Sequence, residues 1–158
     1  ADGLQETVVV APDGKKTLTM REEKGKEQTT FVFLISEKGS GVQKEIYREV
    51  APVGAITIPF NTFSPDDKYF FLKRVAGGKD AYFVLSTSGA PLAENSSFME
   101  FSGTFEAKYS ELKIEEATGW GGLSLIVINT KKAVGGEGPS FWVDVPSGKF
   151  IQLSNRVN

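Results

Sequence analysis

The chain contains neither histidine nor cysteine among its 158 residues. Without an imidazole or a thiol it cannot form a histidine-dependent catalytic triad, a thiolate nucleophile, a disulfide or a structural zinc site. The G-x-S-x-G elbow, the phosphate-binding P-loop and the H-E-x-x-H zinc motif are also missing from the sequence. These absences remove much common enzyme chemistry, and we expect a protein that is not an enzyme and binds no cofactor or metal.

An excess of positive charge is missing as well. Lysine and arginine total 18 against 20 acidic residues, and the two signs are interspersed along the chain. No basic stripe is available for a nucleic acid backbone, so we expect no nucleic acid partner. Apolar runs such as residues 125–128 are far shorter than the roughly 20 residues that cross a bilayer. The sequence therefore predicts no membrane span.

Adjacent carboxylates are present at Asp66-Asp67 and Glu115-Glu116, among other places. A carboxylate pair that faces one cleft is the usual machinery of glycoside hydrolysis. Adjacent residues on a strand point to opposite faces of the sheet, so neither pair forms such a site by itself. The first pair follows Ser64-Pro65 and is typical of a turn.

The start of the chain and its lack of cysteine bear on localisation. The sequence begins at Ala1 rather than methionine and shows no charged and apolar leader, as expected of an exported protein after processing. Absence of cysteine fits a protein that avoids disulfide chemistry in an oxidising compartment. We expect a periplasmic or extracellular location.

The chain has the length of a single domain and shows an internal repeat. Three passes of one pattern cover approximately residues 7–50, 55–100 and 105–157. Each pass holds four strand-like runs separated by turns, as in Ala11-Pro12-Asp13-Gly14 and Ser64-Pro65-Asp66-Asp67. The sequence therefore predicts an all-β fold of antiparallel four-stranded repeats.

The third run of each repeat is almost continuously apolar, reading FVFLI, YFVLS and FWVDV. A strand that is buried on one face alternates apolar and polar residues, whereas continuous apolar runs indicate a sheet packed on both sides. Four-stranded units of this length that stack face to face are typical of a β-propeller. We predict a propeller-like arc of about three blades, with a β-sandwich as the alternative. Trp142, in the middle of the last of these runs, is expected in the core.

The segment SPDDKYF at residues 64–70, its weaker copy APDGKK at residues 11–16 and the strand-turn-strand segment FWVDVPSGKFIQL resemble WD40-like repeats. Such repeats occur in TolB-type propellers and in the propeller domains of prolyl-oligopeptidase-type peptidases. The resemblance covers nearly the whole chain. It departs from the pattern at Gly119-Trp120-Gly121-Gly122, which stands where the third repeat would have its Pro-Asp turn. The resemblance implies a surface that docks envelope proteins.

Three repeats are too few to close a propeller, which usually has at least four blades. An open arc of three blades would expose the apolar faces of its first and last sheets. Three arrangements would avoid this exposure: the chain is part of a longer propeller, two copies close a six-bladed ring, or the strands form a sandwich. We favour a homodimer that closes the ring. Segment 105–117 shows both helical and strand spacing, and its place in the repeat favours the inner strand.

Four residues are candidates for a binding surface. Trp120, flanked by glycines, is expected either partly exposed and available to a partner or packed between blades. Lys73 and Arg74 lie on the predicted second strand of the second repeat and point to opposite faces, so at least one is exposed, paired or lines the central funnel. Asn61, on the predicted inner strand, would line the same funnel.

The sequence analysis leads to three functional hypotheses. The first is a non-enzymatic binding or scaffold module that holds a protein partner and is exported or associated with the envelope. The second is an accessory propeller piece of a peptidase or hydrolase whose catalytic residues lie elsewhere. The third is a carbohydrate-binding β-protein, which requires an exposed tryptophan and two facing acids.

Overall fold

The computed structural model describes residues 3–92 and 96–157, which form twelve strands and one short helix. The first sheet contains β1 (Leu4–Val10), β2 (Lys16–Lys24), β3 (Thr29–Glu37) and β4 (Gln43–Ala51). The second contains β5 (Ile56–Thr57), β6 (Tyr69–Ala76), β7 (Lys79–Ser86) and β8 (Phe98–Glu100). Helix α1 (Ser102–Lys108) precedes the third sheet, which contains β9 (Leu112–Trp120), β10 (Leu125–Lys132), β11 (Glu137–Asp144) and β12 (Lys149–Gln152).

Each sheet is a meander in which strands adjacent in sequence are also adjacent in space, and every pairing is antiparallel. Short connections favour this arrangement because two antiparallel strands can be joined by a tight turn. The prediction of an all-β fold built from antiparallel four-stranded repeats is confirmed.

The second sheet is packed on both faces. Phe70, Leu72, Phe83 and Leu85 belong to a core shared with the first sheet, and their neighbours along the strands, including Phe71, belong to a second core shared with the third sheet. Alternation of side chains along a strand explains why successive aromatics enter different cores. The three sheets therefore form a layered stack, which accounts for the continuous apolar run of the second sheet and agrees with either predicted architecture, propeller-like or sandwich.

The outer face of the first sheet carries ion pairs, two buried aliphatic residues and several exposed aliphatic residues on its edge strands. Val32 and Leu34 point away from the first core but are only 2 % and 7 % exposed. Val32 lies between Arg21 and Arg48 in the register of the sheet. Arg21 pairs with Glu6 at 2.7 Å, and Arg48 pairs with a glutamate on its own strand. Closing a ring through this face would require these ion pairs to lose their hydration.

Segment 105–117 is divided between two elements, so the prediction of a strand is wrong for its first part and confirmed from Leu112 onward. Phe105 in helix α1 and Tyr109, which caps the C-terminus of the helix, are four positions apart and therefore lie on one face. Both rings lie 4.9 Å from the ring of Phe141, and that of Phe105 lies 5.1 Å from Phe150. The helix forms because it brings two aromatic side chains together over the third sheet.

The expectation that Trp142 lies in the core is also wrong. Trp142 is half-buried on the outer face of the third sheet, where Val127 and Ile151 are its cross-strand neighbours. Its neighbours Phe141 and Val143 take the inward positions and are fully buried. Because side chains alternate along a strand, Trp142 and its two neighbours cannot all face inward. The strand register places Phe141 and Val143 in the core and Trp142 on the outer face.

Equivalent turns join the strands in the first two repeats. The Gly14 N–H donates to the Ala11 carbonyl at 2.8 Å, and the Asp67 N–H donates to the Ser64 carbonyl at 3.0 Å. Gly14 and Asp67 both have positive φ, 76° and 62°. Glycine adopts this conformation freely, whereas aspartate does so rarely. The second repeat therefore places a carboxyl group where the first has none.

Candidate functional site

Three neighbouring depressions open along the edges of the sheets that carry the first strands, and together we call them the first-strand groove. The central depression, of about 470 Å³, lies between the end of β1 and segment 58–63. A second lies between the β1–β2 turn, segment 61–65 and the end of β9, and a third is lined by Lys73, Tyr82 and residues 116–118. Segment 57–63 contributes to all three.

Segment 58–63 leaves the second sheet and forms a protruding turn. Strand β5 ends at Thr57, and Pro59 has no N–H to continue the ladder. Asn61 adopts a φ of 60°, a left-handed conformation that asparagine tolerates better than most residues. The chain rejoins the sheet where Phe63 bridges to Phe70. Between these points Phe60 is presented to solvent with 87 % of its surface exposed.

The turn is held against the end of strand β9. The side-chain amide of Asn61 donates to the Thr118 carbonyl at 3.4 Å, and the indole N–H of Trp120 donates to the Thr62 carbonyl at 3.0 Å. Gly119 adopts a φ of 147°, and a Cβ at this position would lie 3.0 Å from the Cβ of Asn61. Glycine is therefore required for β9 to approach the turn this closely. These contacts fix the backbone on which Phe60 is carried.

The structure brings together two of the four candidate residues. Asn61 and Trp120 line the same depression, although Asn61 lies in the protruding turn and not on the inner strand that the sequence predicts. Trp120 is half-buried, and its ring stacks on Tyr69 with 6.2 Å between centroids. This residue both packs between the second and third sheets and exposes an edge to the groove.

Lys73 lines the third depression and points toward the third sheet. Its ammonium group lies 3.3 Å from Asp80 and 5.9 Å from the centre of the Tyr82 ring. Burial lowers the pKa of Lys73, but Tyr82, Asp80 and Glu116 raise it by more, so the pKa lies above its ordinary value. Lys73 therefore presents a positive charge to the groove at neutral pH.

Arg74 points the other way and does not reach the groove. Its Nε donates to Glu49 at 2.7 Å, and its guanidinium lies 4.5 Å from the ring centre of Phe83. Glu49 also accepts a hydrogen bond from the Tyr47 hydroxyl. The prediction that Lys73 and Arg74 face opposite sides is confirmed, and Arg74 joins the first and second sheets.

Two carboxyl groups from equivalent turns meet beside the groove. Asp13 lines the second depression, whereas Asp67 is only 2 % exposed. Among the described residues, the Oδ1 atom of Asp67 finds no hydrogen-bond donor. Burial, followed by the neighbouring Asp13, raises the pKa of Asp67 to about 6, while Lys15 and Lys16 act in the opposite direction. Below that pH the protonated carboxyl group of Asp67 can donate a hydrogen bond to Asp13.

Phe60 is the residue of this groove that sequence reasoning missed, because the sequence pattern places its neighbour Asn61 on an inner strand. The signal was present in its two neighbours. Pro59 is disfavoured inside a ladder and Asn61 tolerates a left-handed backbone, so an aromatic residue between them is expected at a turn.

Across residues 3–92 and 96–157, no group of three or more acidic side chains is arranged to hold a metal ion. The same part of the chain contains no helix of sufficient length and apolar character to span a membrane. Comparison with protein-family models, with curated proteins and with solved structures finds no match.

Proposed function

We propose that this protein is a non-enzymatic binding or scaffold module that holds a protein partner in the first-strand groove. The observation that carries the proposal is the exposure of Phe60 on a turn fixed by Asn61 and Thr62. Aromatic side chains contribute strongly to protein interfaces, and an anchor that is already ordered loses little entropy on binding. The central depression beside Phe60 provides apolar surface for the same contact.

The chemistry around Phe60 favours a protein over a sugar. The central depression is formed largely by apolar groups of Val9, Val10, Ile58 and Phe63. A carbohydrate site requires the open face of an aromatic ring and several polar partners, whereas the ring of Trp120 is stacked on Tyr69. An apolar surface around an aromatic anchor fits the side chains of a peptide segment.

The wider role follows from the repeat. The resemblance to TolB-type propellers supports a partner among envelope proteins and a periplasmic or extracellular location. An accessory role beside a peptidase or hydrolase domain is the alternative, and it predicts that the gene encodes further catalytic sequence. In both cases the groove supplies the contact surface and the catalytic chemistry lies elsewhere.

The test uses a displayed library of random peptides selected against the whole chain. We expect selected peptides to bind the wild-type chain and to lose at least tenfold in affinity against Phe60→Ala. Val134→Ala is the matched control, because Val134 is 97 % exposed in the turn between β10 and β11, away from the groove. Selected peptides that bind all three proteins equally would overturn the proposal, as would failure of the selection to enrich any peptide.

A further inference from the structure

The edges of the three sheets differ in how well they are protected against pairing with another chain. Unpaired edge strands invite such pairing, and proteins usually shorten them, bulge them or place charges on them. Strands β5, β8 and β12 have two, three and four residues. Strands β4 and β9 are longer, but each carries several charges and at least one register shift.

Strand β1 has none of these protections. It pairs with β2 over seven consecutive residues without a register shift, and its sequence LQETVVV contains one charge and no proline or lysine. Its other side has no neighbour among the described strands. Of the sheet edges that the structure describes, β1 is the long, regular and mainly apolar one.

The hydrogen bonds to β2 show which groups of β1 are free. The Ala11 N–H donates to the Lys16 carbonyl at 2.8 Å, and the Gly3 carbonyl accepts from the Lys24 N–H at 2.9 Å. In an antiparallel pair, residues that exchange hydrogen bonds alternate with residues that do not. The odd-numbered positions therefore bond to β2. The even-numbered residues direct their N–H and carbonyl groups to the open side; they are Leu4, Glu6, Val8 and Val10.

The side chains of the same residues are also exposed. Leu4, Val8 and Val10 have 62 %, 58 % and 57 % of their surface accessible. They lie on one face of the strand because side chains alternate. Glu6, the single charged residue, is already paired with Arg21 at 2.7 Å. Free backbone groups and apolar side chains thus coincide on one edge.

We propose that two copies of this chain associate by antiparallel pairing of their β1 strands, forming one continuous eight-stranded sheet. The strand is complementary to itself about a two-fold axis at Thr7. In that register Leu4 lies opposite Val10 of the second copy and Glu6 lies opposite Val8. Every free N–H and carbonyl of the four even-numbered residues then has a partner, and no charge faces a like charge.

The competing registers are poorer. An axis at Glu6 places the two carboxylates directly opposite each other, which is destabilising. An axis at Val8 leaves Leu4 beyond the end of the pairing. A partner with an unrelated sequence would need to match this pattern, whereas a second copy matches it through symmetry. Pairing at Thr7 also brings Leu4 of the second copy to Val10, at the rim of the central depression.

This dimer differs from the ring that the sequence predicts and does not depend on the proposed function. Ring closure would use the outer face of the first sheet, which carries the Arg21–Glu6 and Arg48–Glu45 ion pairs. Edge pairing leaves the Arg48–Glu45 pair in solvent. The two modes are separable because ring closure also buries outer-face residues far from β1, such as Arg48 and Val50, which edge pairing leaves in solvent.

Sedimentation velocity over a wide range of concentration is the first test. We expect a reversible dimer for the wild-type chain and an increase of at least tenfold in its dissociation constant for Val8→Lys. The matched control is Val50→Lys, since Val50 is 52 % exposed on the opposite edge strand of the same sheet. A wild-type monomer at every concentration would overturn the proposal, as would equal effects of the two lysines.

Cross-linking tests the register independently of any loss of stability. The two Thr7 residues form a non-hydrogen-bonded pair with Cα atoms about 4.5 Å apart, a separation that a disulfide can bridge. The chain has no other cysteine, so the disulfide in Thr7→Cys is necessarily between copies. We expect rapid covalent dimerisation of Thr7→Cys and little of Gln5→Cys, which lies opposite Val9 in this register. Equal rates for the two variants would refute the register.

Discussion

Replacing Asp67 with asparagine removes a buried carboxyl group whose charged form is destabilised in the native fold. Burial and the adjacent Asp13 raise the pKa of Asp67 from 3.8 to about 6. A rise of this size corresponds to about 3 kcal/mol of difference between the two protonation states. That figure is an upper bound on the change in stability, because Asp13 lies in solvent and water screens the pair.

The sign of the pH dependence follows from the direction of this shift. The folded state holds the Asp67 proton more tightly than the unfolded state, so unfolding releases it between about pH 4 and 6. The contribution of the bound proton to the free energy of unfolding is fully present below about pH 4 and is lost as the pH rises through 6. Asp13 has a lowered pKa, so its contribution has the opposite sign and is confined to more acidic solution.

Asp67→Asn should therefore raise the free energy of unfolding above pH 6 by up to about 3 kcal/mol, or about 6–12 °C in melting temperature. Asparagine tolerates the φ of 62° at this position, and its amide donates to Asp13. The assay is thermal and urea unfolding at a series of pH values from 4 to 8, with carbon NMR titration of the Asp67 carboxyl in the wild type.

Asp13→Asn is the informative control, because it removes the smaller cause of the shift and keeps the larger one, burial. We expect it to reduce the pH dependence between 4 and 6 without abolishing it. Parallel stability profiles for the wild type and Asp67→Asn across this range would refute the reasoning, as would a stability equal to that of the wild type above pH 6.

Four further substitutions test the packing, the turn and two ion pairs. Phe71→Ala, in the fully buried centre of the second sheet, should cost about 3–5 kcal/mol in urea unfolding. Gly119→Ala should cost about 1–3 kcal/mol and shift the NMR signals of the protruding turn, because φ is positive and the added Cβ has no space. Glu49→Gln should cost about 1–3 kcal/mol by leaving Arg74 partly unpaired, whereas Glu45→Gln, in an exposed pair, should change stability by less than about 1 kcal/mol.

Local sequence patterns were sufficient for the sheets but not for the site. The Pro-Asp turns and the continuous apolar runs predicted three four-stranded repeats, because turn geometry and strand alternation depend on a few neighbouring residues. Trp142 is misplaced by sequence reasoning because it lies within a mostly apolar run, and only the cross-strand register decides which face of that run enters the core. Phe105 was misassigned because its preference for a helix depends on Phe141, which is distant in sequence.

The groove required the tertiary structure for the same reason. Lys73 and Arg74 were correctly placed on opposite faces of one strand, since alternation determines this locally. Whether either residue reached a binding surface depended on what packed against each face, and Arg74 proved to be enclosed beside Glu49.

The absence of histidine and cysteine, the charge balance and the repeated turns are properties of the sequence alone, and they determine an all-β chain without imidazole or thiol chemistry. The exposure of Phe60, the meeting of Asp13 with Asp67 and the open edge of β1 are decided by the stacking of the sheets. The physical reason is range: turns and strands are set by contacts between neighbours in the chain, whereas exposure, pKa and docking edges are set by residues that the fold brings together.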